Sequence, residues 1–341
     1  FKMELLSLFP VFLSFLLTFL ILPSWIKKAK KIGLYWEDMN KYNKPKVAGS
    51  GGIAVVLGFI LAVFLFIALE TFYFKSSENI IEILSLTSSV LMLAGIGIID
   101  DLFGWQHGGL SAKVRIVLCL FAAVPLMIIN AGYSTVTIPF FSWINLGLIY
   151  PLVIIPIGIA LAATTFNFLA GFNGLEAGQG ILILSALSIV AYFINHYWLA
   201  LIGLCMVFSL LAFWIFNKYP AKVFPGDVLT YSIGGMIAIM AILGNMERVA
   251  LFFFIPYFIE IFLKLRGKLK KQSFGKPNKD GSLELAYNKI YGLEHFSIWF
   301  LKKFKKDGKI YEKDVVYFIH AFQIIIIILG FIIFRQGIFL K

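Results

Sequence analysis

The feature that most constrains this chain is a series of apolar runs, each about 20 residues long, which recurs from one end to the other. A helix of that length spans the hydrocarbon core of a bilayer. Of the 341 residues, 60% are hydrophobic and 14% are charged, whereas soluble domains have about 25% charged residues. The sequence therefore predicts an all-α polytopic membrane protein, with one transmembrane domain over residues 1–341.

We expect about ten transmembrane helices. Their approximate ranges are 5–25, 52–70, 83–99, 112–131, 146–165, 179–194, 197–216, 228–243, 249–265 and 316–334. Both cysteines, Cys119 and Cys205, fall inside these segments, and their spacing indicates neither a disulfide nor a metal site.

The lysines predict how the chain is oriented. Seven of them lie between residues 27 and 46, and many more, with Arg266, lie in the long basic connection 266–315. In contrast, residues 132–145 contain no charged side chain. Because Lys and Arg concentrate on the cytoplasmic side, both of these basic connections are expected inside and both termini outside. We attribute the net charge of +12 to this topology and to lipid headgroups, not to nucleic-acid binding.

Polar clusters gather on the connections that this orientation places in the cytoplasm. They are WEDMNK (36–41), Asp100–Asp101 with Lys113 downstream, NFLAGFNGLEAGQG (167–180) and KVFPGD (222–227). Independent structural roles would not be expected to fall on one membrane face. The sequence therefore predicts an active site at the cytoplasmic face.

The residue types in these clusters have simpler explanations as well. Two adjacent carboxylates repel unless a cation or a proton offsets their charge, but an acidic residue can also mark a hydrated helix end. Lys113 opposes the dipole of the helix it begins, which favours an external anion; contact with lipid phosphate would also explain it. Asp227 could serve as a helix cap and Phe224 as an interfacial anchor.

Taken together, the carboxylates, amides and lysine fit a Mg²⁺ ion bound with substrate phosphates, and hence phosphoryl transfer. The chain contains no GxxxxGK[ST], HExxH or GxSxG sequence. These absences argue against a P-loop ATPase, a zinc protease and a serine hydrolase.

At these motifs the sequence resembles the polyprenyl-phosphate N-acetylhexosamine-1-phosphate transferases, over essentially the whole chain. IIDDLFG with LSAK resembles the family's Asp-Asp motif and downstream lysine, VFPGD its Gly-Asp motif and DMNK its first-loop motif. NFLAGFNGLEAGQ resembles the asparagine-rich loop of the branch, archaeal and eukaryotic, that acts on UDP-GlcNAc and dolichyl phosphate.

The resemblance implies transfer of GlcNAc-1-phosphate from UDP-GlcNAc to a dolichyl or polyprenyl phosphate, with release of UMP, as the first membrane step of glycan assembly. It implies Mg²⁺, with Mn²⁺ as a substitute, held by Asn167 and Asp227. Asp100 or Asp101 would deprotonate the lipid phosphate and Lys113 would contact phosphates. The residues assigned to substrate binding are Asp38, Asn40, Asn173, Glu176 and Phe224, of which Asn173 and Phe224 would contact uracil.

Two departures from the family pattern concern substrate recognition. Ala48 and Gly49 stand where this branch has a Pro-Glu pair. The Arg/His-rich motif of the ninth loop is also replaced, and basic residues there are assigned to the phosphate or sugar without a one-to-one match: Arg266, Lys268, Lys270 and Lys271. Within 266–315, apolar residues at three- and four-residue steps over 290–304 predict an amphipathic helix, either in the membrane interface or packed on the spans.

Other functions are compatible with parts of this pattern. A transporter or lipid flippase would use acidic residues too, but it would be expected to place them near span centres. A CDP-alcohol phosphotransferase or an aromatic prenyltransferase would need aspartates at DxxxD-like spacing, which is lacking.

The expected location is an archaeal cell membrane, with the endoplasmic reticulum as the alternative. The oligomeric state stays open, a homodimer included.

Overall fold

The computed structural model describes residues 5–137 and 143–339, most of which are helical. The helices are α1 (Phe9–Ile32), α2 (Gly52–Ala68), α3 (Ile80–His107), α4 (Ala112–Phe121), α5 (Val124–Ile128), α6 (Ile155–Phe166), α7 (Leu175–Phe193), α8 (Tyr197–Asn217), α9 (Asp227–Leu243), α10 (Glu247–Phe253), α11 (Ile255–Arg266), α12 (Leu293–Phe304), α13 (Glu312–Ile333) and α14 (Arg335–Phe339). A 3₁₀ turn (Leu5–Leu8) precedes α1, and π-helical turns (Leu69–Tyr73 and Tyr150–Ile154) follow α2 and precede α6.

Short strands join the helices. They are β1 (Tyr35–Glu37), β2 (Lys46–Ala48), β3 (Thr135–Thr137), β4 (Trp143–Asn145), β5 (Lys276–Pro277), β6 (Ser282–Glu284) and β7 (Ile310–Tyr311). The pairs β1–β2 and β3–β4 are antiparallel hairpins, and β5–β6–β7 form one small antiparallel sheet. The connection after α11 is thus folded back against the segment that leads into α13.

Six helices among the described residues are long and apolar enough to cross a membrane, which confirms the polytopic class. They are Leu6–Ile32, Gly52–Tyr73, Ile80–Gly104, Leu175–Phe193, Tyr197–Asn217 and Glu312–Ile333. Two further apolar helices are shorter, Tyr150–Phe166 and Asp227–Leu243. The remaining two predicted spans are interrupted, one between α4 and α5 and the other between α10 and α11. A total of ten spans therefore stays a prediction.

Helix α9 lies at the centre of the bundle and determines where the polar loops meet. Nearly all of its residues are buried, and it packs against α3 and α6. A Cβ at Gly97 of α3 would lie 2.4 Å from the backbone of Val228, and a Cβ at Gly234 would lie 2.4 Å from the carbonyl oxygen of Ala162. Small residues let membrane helices approach this closely. The start of α9 is consequently held against the end of α3.

Two boundaries differ from the sequence prediction. Asp100 and Asp101 do not begin a loop, because α3 continues through them to His107 and ends only at Gly108, whose φ is +85°. Glycine adopts this left-handed conformation without a Cβ penalty and commonly ends helices. The asparagine-rich segment is likewise a loop only as far as Gly174, since α7 begins at Leu175.

The predicted amphipathic helix is present as α12. It packs against α11 and α13 and buries one face, while its last turn contains Lys302 and Lys303. Of the two alternatives, the packing on the spans is observed; a location in the membrane interface stays a prediction.

Candidate active site

A cavity of about 580 Å³ lies where the first loop, the end of α3, the 167–174 loop and the start of α9 meet. Seven of the residues that the sequence assigned to function line it: Asp38, Asp100, Asp101, Asn167, Glu176, Phe224 and Asp227. The four polar clusters, which are far apart in sequence, therefore converge on one cavity.

Asp101 and Asp227 are joined through the backbone. The N–H of Asp227 donates to Oδ1 of Asp101 at 2.8 Å. Asp227 is the first residue of α9 and Gly226 is its cap residue, so the Asp227 side chain does not serve as a cap. At Gly226, φ is +72° and a Cβ would lie 2.2 Å from Oδ2 of Asp101, so only glycine fits between the two helices. The Gly-Asp sequence thus lets a carboxylate from each helix reach the cavity.

Asp100 has a different set of partners. Its Oδ1 accepts from the N–H of Leu110 at 2.7 Å, and its Oδ2 accepts from the hydroxyl of Tyr231 at 2.8 Å. The guanidinium Nε of Arg115 lies 3.0 Å from the same Oδ2. Both oxygens of Asp100 are therefore engaged, and Arg115 brings a positive charge to the cavity.

The acidic side chains leave an excess of negative charge. Asp100, Asp101 and Asp227 face one guanidinium, that of Arg115. Asn167 donates from its amide to Oδ1 of Asp227 at 2.9 Å, and Oδ2 of Asp101 is buried without a hydrogen-bond partner among the described residues. A divalent cation at Asp227 would balance this charge and would leave the unpartnered oxygen of Asp101 available to a substrate proton.

The potential metal ligands in this cavity suit Mg²⁺ better than they suit a metal ion whose ligands all come from the protein. Within residues 5–137 and 143–339, no three His, Cys, Asp or Glu side chains are arranged to enclose a metal ion. Mg²⁺ usually takes one or two protein carboxylates and completes its coordination with waters and substrate phosphates. The carboxylate of Asp227 beside the amide of Asn167 meets that requirement.

Asn173 and Asn40 serve the architecture of the cavity instead of lining it. The amide of Asn173 donates to Asp38 at 2.9 Å and to Glu312 at 2.6 Å, and its carbonyl oxygen accepts from the N–H of Ala221 at 3.1 Å. The two donors of an asparagine amide are thereby used. Asn40 in turn donates to the carbonyl oxygen of Gly171 at 2.8 Å. These asparagines hold neighbouring loops together.

Glu176 and Phe224 also bond to the backbone around the cavity. Glu176 accepts from the N–H of Gly171 at 2.8 Å and is buried. The carbonyl oxygen of Phe224 accepts from the N–H of Gly51 at 2.9 Å, and Phe224 is one of the residues that line the cavity.

The structure does not bring the predicted basic residues to this cavity. Lys113, Arg266, Lys268, Lys270 and Lys271 are exposed and none of them is among the residues that line it. The sequence analysis in turn missed several residues that do contribute to the site, namely Trp36, Arg115, Tyr231, Phe274 and Glu312. Arg115 was within reach of sequence reasoning, since it is a second cation in the first turns of α4.

Known proteins resemble this chain over most of its length. The profile of glycosyl transferase family 4 matches residues 83–245. A relative from Saccharolobus solfataricus, with the provisional name UDP-N-acetylglucosamine–dolichyl-phosphate N-acetylglucosaminephosphotransferase, is 36% identical over 96% of this chain and 96% of its own.

More distant relatives match a smaller share of the chain. A Dictyostelium discoideum protein of that same name is 28% identical over 71% of this chain and 67% of its own length. The phospho-N-acetylmuramoyl-pentapeptide-transferase of Halalkalibacterium halodurans is 31% identical over 72% of this chain and 77% of its own. With a relative matched almost from end to end, and with Asp100, Asp101 and Asp227 of the cavity inside the profile match, the chain belongs to glycosyl transferase family 4.

Proposed function

We propose that this protein transfers N-acetylglucosamine 1-phosphate from UDP-N-acetylglucosamine to dolichyl or another polyprenyl phosphate, releasing UMP. The main support is that Asp100, Asp101 and Asp227 converge on one cavity and all lie within residues 83–245, the stretch that matches the family. Relatives named for this reaction match the chain over up to 96% of its length. The product is a lipid-diphosphate sugar that can start a glycan, as in N-glycosylation.

We further propose that the reaction uses Mg²⁺, with Mn²⁺ as a substitute, held by Asp227 and Asn167. A diphosphate would be repelled by three carboxylates that only one guanidinium offsets. When bound, the metal neutralises charge on the donor diphosphate and on the leaving phosphate.

The protein side chains would divide the remaining work. Asp101 would take the proton of the lipid phosphate, because its Oδ2 has no partner among the described residues, whereas both oxygens of Asp100 are engaged. The lipid phosphate oxygen then attacks the sugar-linked phosphorus, and the bond from that phosphorus to the UMP oxygen breaks. Arg115, oriented by Asp100, would stabilise charge on the phosphate oxygens. One diphosphate replaces another, so neither ATP nor water is consumed.

The cavity is proposed to open to the cytoplasm. Lys41 and Lys44 belong to the first loop, which contributes Asp38 to the cavity, and basic connections mark the cytoplasmic side. Both lipid and nucleotide-sugar could meet there, at the end of apolar helices. We propose an archaeal cell membrane for this arrangement, with the endoplasmic reticulum as the alternative.

The test is to supply purified protein with Mg²⁺, dolichyl phosphate and a panel of UDP-sugars, and to measure UMP. We expect lipid-dependent UMP release with UDP-N-acetylglucosamine. Asp227→Asn should lower the rate at least about 100-fold, since it removes a carboxylate that meets both metal and diphosphate. Chelation of the metal should abolish release in wild type.

Asp307→Asn is the matched control, because Asp307 is exposed and lies outside the cavity lining. It should retain full activity, and both variants should unfold at the wild-type temperature within a few degrees. Absence of lipid-dependent UMP with every sugar would refute the proposed reaction. A clear preference for a different UDP-sugar would refute the sugar assignment alone.

A further inference from the structure

A buried charged cluster lies at the junction of α11 and α12, outside the cavity lining. Glu260 and Lys264 come from α11, and Glu294 and His295 from the first turn of α12. All four are at most 8% exposed. Removing charged groups from water costs several kcal/mol per ion unless other interactions offset it, so this arrangement calls for a physical reason.

Lys264 is the central residue of the cluster. Its Nζ lies 3.4 Å from Oε1 of Glu260 and donates to the hydroxyl of Ser273. Glu260 uses its other oxygen to accept from the N–H of Leu293 at 2.6 Å, which fixes the start of α12. The lysine is therefore tied to both helices and to the loop that follows α11.

Glu294 is disfavoured as a second anion beside the lysine. Its carboxyl oxygens have no hydrogen-bond partner among the described residues, and burial beside Glu260 raises its pKa well above the ordinary value. Because the charged form of Glu294 is disfavoured, Glu260 is the carboxylate that pairs with Lys264. Burial also lowers the pKa of His295, which keeps the imidazole neutral.

The cluster, together with Asn40 of the first loop, holds three successive loop residues in place. Lys264 binds Ser273, Nε2 of His295 lies 3.3 Å from the carbonyl oxygen of Phe274, and the N–H of Gly275 donates to Asn40 at 3.0 Å. With three consecutive residues each bound to a different element, the backbone at Phe274 has little freedom.

Phe274 is the point where this loop meets the cavity. Its ring packs on Gly171, where a Cβ would lie 2.8 Å from the ring, and it lines the cavity. Among the described residues of 266–315, Phe274 alone is in that lining. The exposed lysines of the same loop, Lys268 and Lys270, are not.

We propose that Lys264 is a positioning residue which, through Ser273, holds the Phe274 ring as a wall of the cavity that the nucleotide-sugar contacts. The proposal rests on the proposed function, since it concerns binding of the donor in that cavity. A lysine is suited to this task because Glu260 fixes its ammonium group from one side, and the bond to Ser273 then has a defined direction. The reacting acids belong to other elements, so the effect should fall on donor binding and not on the chemical step.

The test is a double-mutant cycle on purified protein with dolichyl phosphate and Mg²⁺. Phe274→Ala and Lys264→Met should each raise KM for UDP-N-acetylglucosamine about tenfold and change kcat less than about twofold, as expected for lost uniform binding. The double variant should resemble the single variants, because both remove the same wall. Lys302→Met, which replaces an exposed lysine in the last turn of α12, should match wild type.

Ser273→Ala is the alternative variant if Lys264→Met fails to fold. It removes the hydrogen bond between Lys264 and Ser273 and leaves the ion pair between Lys264 and Glu260 intact. It should raise KM about threefold, with an unfolding temperature close to wild type. The proposal would be overturned if the KM increases of the two single variants multiplied in the double variant. An unchanged KM in Phe274→Ala or in Ser273→Ala would also overturn it. Wild type that neither binds nor turns over the donor would instead refute the proposed function.

Discussion

At the scale of single residues, the rotation of α4 decides which of two nearby cations, Arg115 or Lys113, faces the cavity. They are two positions apart on α4, and residues at that spacing do not share a helix face. Ser111 is the N-cap of α4, because its hydroxyl accepts from the N–H of Val114. This bond fixes the orientation of the first turn of the helix. Arg115 consequently faces Asp100, while Lys113 is exposed.

Arg115→Gln is expected to lower kcat/KM at least about 100-fold, measured as lipid-dependent UMP release. The change removes the positive charge beside three carboxylates and leaves Asp100 without its ion pair, a loss of about 2–5 kcal/mol at buried charge pairs. Arg115→Lys should recover part of the activity, because lysine retains the charge but not the planar fork.

Lys113→Gln is the matched control on the same helix and should stay within about threefold of wild type, the range of an exposed charge. A loss in Lys113→Gln as large as that in Arg115→Gln would contradict the assignment of the phosphate-binding cation to Arg115.

At the scale of elements, the start of α13 fastens the loops around the cavity. Glu312 accepts from the backbone N–H of Asn173 at 2.7 Å and pairs with Lys41 of the first loop. Lys41 also lies 3.3 Å from Asp38. The last long helix thus holds two loops that are about 130 residues apart in sequence.

Glu312→Gln should lower the free energy of unfolding by about 3 kcal/mol, because it leaves Lys41 with half of its buried counter-charge. Thermal unfolding of the purified protein measures this. Asp314→Asn, two residues along, breaks a half-exposed ion pair with Lys305 and should cost less than about 1 kcal/mol. Equal destabilisation by the two substitutions would show that Glu312 does not fasten these loops.

Runs of apolar residues predicted ten segments, each of which contains helix, but these runs did not determine where the helices end, and the total of ten membrane spans stays a prediction. The aspartate pair looked like a boundary, yet α3 continues because helical hydrogen bonding tolerates polar residues and stops only at Gly108. The convergence of Asp100, Asn167 and Asp227 was predictable from loop polarity and orientation. Arg115, Phe274 and Glu312 were not, because their roles depend on helix rotation and on contacts between distant loops.

At the scale of the whole molecule, the polar cavity and the lysine-rich loops lie at the same end of the helix bundle. Lys41 of the first loop and Ser273 to Gly275 of the long basic connection both contact residues around the cavity. The connections that contain Lys75 and Asn195 follow α2 and α7 at the ends away from it. If the basic end faces inside, the donor, the lipid phosphate and the acidic residues would meet on the cytoplasmic side.

Single cysteines can test this orientation, because Cys119 and Cys205 are buried and should label poorly. Lys44→Cys and Lys279→Cys lie at exposed positions on the cavity side, and Lys75→Cys and Asn195→Cys at exposed positions on the opposite side. In intact cells, a membrane-impermeant maleimide should label the second pair; the first pair should react only after the membrane is permeabilised. The reverse pattern would place the cavity outside, where a cytoplasmic nucleotide-sugar could not reach Asp227, and would contradict the proposed site of the reaction.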